Sequence, residues 1–326
     1  MRNHRLILAV GAWLVFAASF AAAADDVVTE PFEGVRVIHS KSMSPRQVDM
    51  WVVEIDMRAP GVSFLVTPSN GDLIGDTTPE TTRTFVTRVG AQLGVNGSFF
   101  SMAAKGAKSK GQYNVSGLSV SKGDAYSPFA RGFVDAINIS RDNVATIIRG
   151  TDTGINKRMP DPLAKEKGTE INIGTAHEPA VPLYNAMSGK TRLVKYGKNV
   201  AGKEPAIHPR TGAGITADGK LLLFTVDGRE PGHSLGMKFS EMADAMIRFG
   251  ARDAISLDGG GSTTFVMDDP ATAANDPKVM NLPCDPFPIT DKKHGKERPT
   301  GNNLAVFARA RKPRPVVADC GPPPKN

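Results

Sequence analysis

Hydrophobic and polar positions alternate with a period of two over much of the chain. Trp51, Val53 and Ile55 fall on one face of an extended segment, and Val62, Phe64 and Val66 repeat the pattern shortly afterwards. Leu93 and Val95 lead as a strand into Asn96-Gly97-Ser98-Phe99-Phe100. The same reading predicts strands at Leu118–Val120, Phe133–Ile139, Val144–Ile148, Leu193–Val200 and Leu221–Val226. Helical spacing is rare. Phe85, Val86 and Val89 recur at it, with Thr78-Pro79 as N-cap and first helical residue and Gly90 as the stop. Met242, Ala245, Met246 and Phe249 line a second helix, capped by Ser240 and ended by Gly250. Strands with two or three helices and no regular βαβ alternation predict an α+β class: mixed β-sheets with a few packed helices in a single compact domain. Ser101–Gln112 and Gly150–Thr169 read as loops.

The termini change the picture. Arg2 and Arg5 precede the apolar stretch Leu6–Phe20, and Ala21 to Ala24 supply small residues before Asp25. Residues 1–24 therefore read as a secretory signal, 25–310 as the folded domain and 311–326 as a Pro-rich tail. The setting expected is periplasmic or secreted, with no membrane span after cleavage. The formal charge of +7 becomes +5 once Arg2 and Arg5 leave, a modest bias towards acidic partners. Cys284 and Cys320, the two cysteines, are expected to pair in an oxidising compartment and tie the tail back. Closing that loop restricts the unfolded chain by about 4 kcal/mol on a chain-entropy model. No histidine stands at metal-ligand spacing and no cofactor motif is evident, which leaves a divalent metal open. Aromatic–basic interleaving for nucleic acid is absent from the sequence.

Four clusters could carry chemistry. An apolar run from Asp253 ends in Asp258, followed by Gly259-Gly260-Gly261-Ser262-Thr263. Glycines let a ligand approach backbone N–H groups, and the hydroxyls add donors beside a reactive carboxylate. A solvated hairpin is the alternative. Asn96, Gly97 and Ser98 offer an amide at a strand end, and Asn96 could orient a hydroxyl or phosphate oxygen. Aromatic faces suit sugar rings, though Phe99 and Phe100 are each expected in the core. His208-Pro209-Arg210 sets a guanidinium among small residues, where it could fork onto phosphate or form a surface ion pair. Asp227-Gly228-Arg229 and Ser234-Leu235-Gly236 follow a strand and precede the second helix. Arg298 and Asn302 come later. No carboxylate pair of the ordinary glycosidase type stands out.

In this order the clusters resemble the phosphodiester glycosidase family. The carriers are NGSFF at Asn96, RTG at Arg210, DGR at Asp227, SLGM at Ser234, DGGGSTT at Asp258 and ERPTGNNLAVF at Glu297, with Asn185–Gly189 and Leu193-Val194 between them. The similarity spans Val48 to Phe307. Ser98 replaces the commoner glycine, Gly212 stands where the family often has alanine, and the segment 150–178 departs from the pattern. The resemblance implies hydrolysis of a sugar-1-phosphodiester in a phosphodiester-linked glycan or other anionic polysaccharide. Asp258 would then be nucleophile or base, Arg210 and the glycine-loop amides would steady the phosphate, and the remaining cluster residues would bind substrate. A non-catalytic exopolysaccharide-binding or assembly protein of the envelope, and a glycosidase acting without phosphate, are the rival readings.

The mature protein is expected to begin near Asp25 and to hold one Cys284–Cys320 bond. Intact mass with and without reduction and alkylation tests this, and two free thiols in periplasmically expressed protein would refute it.

Overall fold

A computed structural model describes residues 26–103, 111–150, 175–271, 276–285 and 295–311. The signal segment, the Pro-rich tail with Cys320, residues 151–174 and the middle of the 101–112 loop lie outside them.

The strand Leu221–Val226 explains the architecture. It is apolar at five of six positions and buried at all six, because both faces of its sheet are covered. That sheet has eight antiparallel strands. In spatial order they are Val27–Phe32, Val35–Ser42, Val48–Ile55, Leu221–Val226, Arg210–Thr216, Ala251–Ser256, Arg192–Lys195 and Lys198–Asn199. Leu221 and Leu223, with Val53, Ile55, Ala213 and Ile255, pack inwards against Phe64, Val66, Leu93, Val95, Leu304 and Val306. Those partners belong to a five-stranded sheet whose middle strand, Leu93–Asn96, lies between Phe265–Met267 and Asn303–Phe307. On the other face, Met50, Val52, Leu222, Phe224 and Val226 meet Met242, Ala243 and Met246 of a helix.

Two α-helices occur among the described residues, and each covers the outer face of a sheet. The first, α1 (Thr82–Val89), lays Phe85 and Val86 on Leu65, Val266 and Ala305. The second, α2 (Phe239–Arg248), covers the eight-stranded sheet. A six-stranded sheet includes Asp135–Ile139, Ala145–Gly150, Asn185–Gly189 and Ser119–Ser121. Its Ile137, Ile139, Ile147 and Met187 join the inner core.

The α+β expectation is overturned: strands and bridges make up 45% of the described residues and helices 9%. The apolar residues mostly bury one another across antiparallel sheets, so little surface is left for helices to cover. Both helix starts also differ. Thr77 and Glu80 are held in β-bridges to Tyr113 and Thr300, so Thr78-Pro79 stays extended and Thr81 caps α1, its Oγ1 accepting from Thr84 N–H at 3.1 Å. Ser240 lies within α2 because Glu241, gripped by Arg46, accepts the N–H of the N-cap residue Lys238 at 2.9 Å. Leu193–Val200 is a hairpin broken at Tyr196-Gly197, both with positive φ. Next to the 101–112 loop, Phe100–Met102 pairs with Tyr113–Val115.

Phe224 is fully buried. Phe224→Ala is expected to cost about 3–5 kcal/mol through the cavity it leaves. Val144→Ala, at a position 59% exposed, is expected to be near neutral, and urea titration of both checks the contrast.

Candidate functional site

Strand Ala251–Ser256 runs directly into Asp258, whose main chain is fastened on both sides. The Asp258 N–H donates to Gly97 O at 2.9 Å, and the Asp258 carbonyl accepts from Asn96 Nδ2 at 2.8 Å. Asn96, fully buried, also accepts from Thr211 Oγ1 at 2.7 Å and from Thr264 N–H at 3.0 Å. The Asp258 carboxylate opens onto a cleft of about 430 Å³, lined also by Phe99, Lys190, Glu204, His208, Arg210 and Arg229. Burial pushes its carboxyl pKa up to about 6, against the opposing pull of the Ser262 hydroxyl, the Gly259 N–H, Arg298 and Lys190.

The cations of the cleft are held in different ways. Arg210 is buried; its Nε donates to Met237 O at 3.0 Å, its Nη2 donates to Ala206 O at 2.7 Å, and it stacks 3.8 Å from the Phe239 ring centroid. Its one carboxylate neighbour, Glu204, stands 3.4 Å away and is 42% exposed. Burial, with Arg229 adding to it, draws the Arg210 pKa down from the ordinary arginine value, and Glu204 opposes the shift. Arg229 sits at φ 61°, with Nη2 3.2 Å from His208 Nδ1. Burial and then the Arg229 and Arg210 charges lower the His208 pKa, so a neutral imidazole accepts there. Arg298 does not line the cleft; it is paired with Asp285 at 2.8 Å behind the glycine turn.

The glycine turn works differently from the sequence expectation. Its amides were expected to face a ligand, but Gly259 N–H goes to the Asp258 carboxylate and Gly260 N–H to Pro209 O, each at 2.9 Å. Small size is needed because a Cβ on Gly259 would stand 2.7 Å from the Pro209 carbonyl oxygen and Gly260 takes φ 64°. The hydroxyls of Ser98 and Thr263 are buried without a hydrogen-bond partner in the protein, and the buried Ser262 hydroxyl faces the Asp258 carboxylate and pulls its pKa down.

Of the residues singled out from sequence, Asp258, Gly259, Gly260, Arg210 and Arg229 line the cleft. Asn96, Gly97, Ser98 and Asn302 form the layer that supports it: Asn302 Oδ1 accepts Ser98 N–H at 2.6 Å and its Nδ2 donates to Ser119 Oγ at 3.1 Å. Asp227 does not line the cleft. Its buried carboxylate accepts from Asn281 Nδ2, Leu282 N–H and His233, all within 2.9 Å. Ser234 Oγ donates to Asp227 O at 2.6 Å, and Gly236 packs against the His208 carbonyl. Phe99, expected in the core, is half-buried and lines the cleft, whereas Phe100 stacks on Tyr113. Lys190 and Glu204 went unnoticed in the sequence, since both lie in connections without a pattern; the adjoining Asn185–Gly189 motif was the one available signal. Cys284 is buried.

Among the described residues one group could hold a metal ion: Asp49, Asp227 and His233, with ligand atoms within 4.8 Å of one another. Its carboxylates already accept from protein groups, Asp49 from His39 at 2.7 Å and Lys41 at 3.0 Å. Hydrogen bonding to Asp227 raises the His233 pKa.

The site is thus a half-buried carboxylate among cations at the end of a central strand of an antiparallel β fold. The solved catalytic domain of zebrafish N-acetylglucosamine-1-phosphodiester alpha-N-acetylglucosaminidase, auto-inhibited by pro-peptide, shares the fold at a TM-score of 0.57 and 20% identity, covering 86% of this chain and 85% of that one. A hypothetical protein from Synechocystis does so at 0.58 and 16%, covering 85% and 62%. The family model for phosphodiester glycosidase matches residues 89–307, and the chain belongs to that family. The mouse N-acetylglucosamine-1-phosphodiester alpha-N-acetylglucosaminidase is 30% identical over 108 residues, 28% of this chain and 20% of the mouse protein. The aligned segments thus span a fifth or less of the curated relatives' length. No helix among the described residues is long and apolar enough to cross a membrane.

A carboxyl with a raised pKa keeps its proton longer when folded than when unfolded. Between the unfolded value near 4 and about 6, stability therefore falls as pH rises. Asp258→Asn is expected to raise Tm at neutral pH, with the gain vanishing below about pH 4, where both states are protonated. Differential scanning fluorimetry across that range checks it; a gain independent of pH would refute the assignment.

Proposed function

We propose that the chain hydrolyses sugar-1-phosphodiesters of an envelope or extracellular glycan, acting in the periplasm or after secretion. Water cleaves the bond between the anomeric carbon and the phosphate oxygen, releasing the sugar and a phosphomonoester. The observation that carries this reading is the charge arrangement: the half-buried Asp258 carboxylate faces a cleft that holds Lys190, Arg210 and Arg229, with the more exposed Glu204 at its edge.

The leaving group explains why so few carboxylates suffice. A departing phosphate is a weak base, with a second pKa of about 6, and needs cationic stabilisation more than a strong general acid. Arg210 suits that task because neutral backbone carbonyls orient its guanidinium and its one carboxylate neighbour, Glu204, is a long, half-exposed contact at 3.4 Å. Asp258, ionised, attacks the anomeric carbon or deprotonates the attacking water. The enclosed carboxylate also stabilises positive charge developing on the sugar ring. This scheme routes no step through a cofactor.

Asp258→Asn is expected to lower kcat at least about 100-fold on sugar-1-phosphodiesters, the low end for a positioned acid–base group. Because the reactive form is ionised, wild-type kcat/KM is expected to rise with pH through about 6. A panel of phosphodiester-linked sugars, assayed for released sugar across pH, tests both. Binding of phosphodiester-linked glycan without turnover would replace this reading with the assembly-protein one.

A further inference from the structure

We propose that Lys190 recognises the negative charge of the phosphodiester and so selects charged substrates over neutral glycosides. The inference rests on the function proposed above and assigns one residue to part of it.

Lys190 is built into the site through its backbone. Lys190 and Thr191 are the whole connection between Asn185–Gly189 of the six-stranded sheet and Arg192–Lys195 of the eight-stranded sheet. Ser256 fastens that crossover: Lys190 N–H donates to Ser256 O at 3.1 Å, Thr191 N–H to Ser256 Oγ at 3.1 Å, and Ser256 N–H to Thr191 O at 2.9 Å. Gly189 allows this approach, since a Cβ there would lie 2.2 Å from Ser256 O. Ser256 closes the strand that delivers Asp258, so the positions of Lys190 and the carboxylate are set by the same strand.

The side chain is placed to read charge. Its ammonium lies 5.7 Å from the Phe99 ring centroid, on the same cleft wall, and its field acts on the Asp258 carboxylate. No carboxylate lies within ion-pair distance of it among the described residues. By contrast, backbone carbonyls engage Arg210, His208 contacts Arg229 and Asp285 pairs with Arg298. A compact ammonium with three rotatable donors and no ion-pair partner among the described residues gains the most when a phosphate arrives. Phe99 beneath it gives the adjoining sugar ring an apolar face.

The test uses the mature protein with Lys190→Met and Lys190→Arg, assayed on a sugar-1-phosphodiester and on the aryl glycoside of the same sugar. Inhibition by the corresponding sugar 1-phosphate is measured alongside. Lys190→Met is expected to raise KM for the phosphodiester by about tenfold or more, with kcat changed less, and to weaken sugar 1-phosphate inhibition in parallel. Lys190→Arg restores both in part, and Tm stays at the wild-type value because the side chain is exposed. Unchanged KM and inhibition, or an equal loss on the neutral glycoside, would overturn the role of Lys190 while leaving the proposed function standing. Wild-type protein inert towards every phosphodiester tested would overturn the function and this assignment together.

Discussion

One buried amide holds the site together. Asn96 ends a strand of the five-stranded sheet, yet its side chain bonds Thr211 of the eight-stranded sheet, the Asp258 carbonyl and the Thr264 N–H. A carboxamide can donate and accept at once, which neither an aliphatic nor an ionised side chain of that size can do. In a fully buried position, losing any partner leaves a desolvated polar group, so the three elements stay in a single arrangement. The direction in which Asp258 leaves its strand follows from that arrangement.

Electrostatics then act on a fixed frame. The protein keeps Asp258 in surroundings that disfavour its charge, and it orients Arg210 with carbonyl groups and with only the half-exposed Glu204, 3.4 Å away, as counter-ion. Each choice costs folding stability, since buried charges gain most from close partners. Each also leaves charge available to something that enters the cleft. The flanking region takes the opposite course: Asp227 and Asp49 are satisfied by His233, His39, Lys41 and Asn281, and they support the loop that carries Arg229.

Much of this was legible in the sequence, and the failures have physical causes. Alternation of Trp51, Val53 and Ile55 located a strand, but it could not reveal that Met50 and Val52 would also be buried under α2. Period two reports one covered face, and here the sheet has two, so the amount of β-structure was underestimated. The run ending in Asp258 revealed the carboxylate. The glycines answer a contact from a distant part of the chain, since Gly259 lies against the Pro209 backbone, and Gly260 takes a left-handed φ. Lys190 and Glu204 were invisible because connections carry no periodicity, and their nearness to Asp258 arises only when separate strands are brought together.

The position of Asn303–Phe307, the last strand among the described residues, has a consequence for how the molecule comes into being. Asn303–Phe307 is not an edge; it lies between Leu93–Asn96 and Ser63–Val66, and Asn302 beside it holds the Ser98 N–H. On a growing polypeptide the glycine turn is made well before this strand, and until then Leu93–Asn96 lacks one of its two neighbours. The inner core stays open over that interval, with Leu304 and Val306 still to arrive. Native pairings of such long sequence separation form slowly and expose apolar surface while they wait. The inner core therefore cannot close until Asn303–Phe307 has been made.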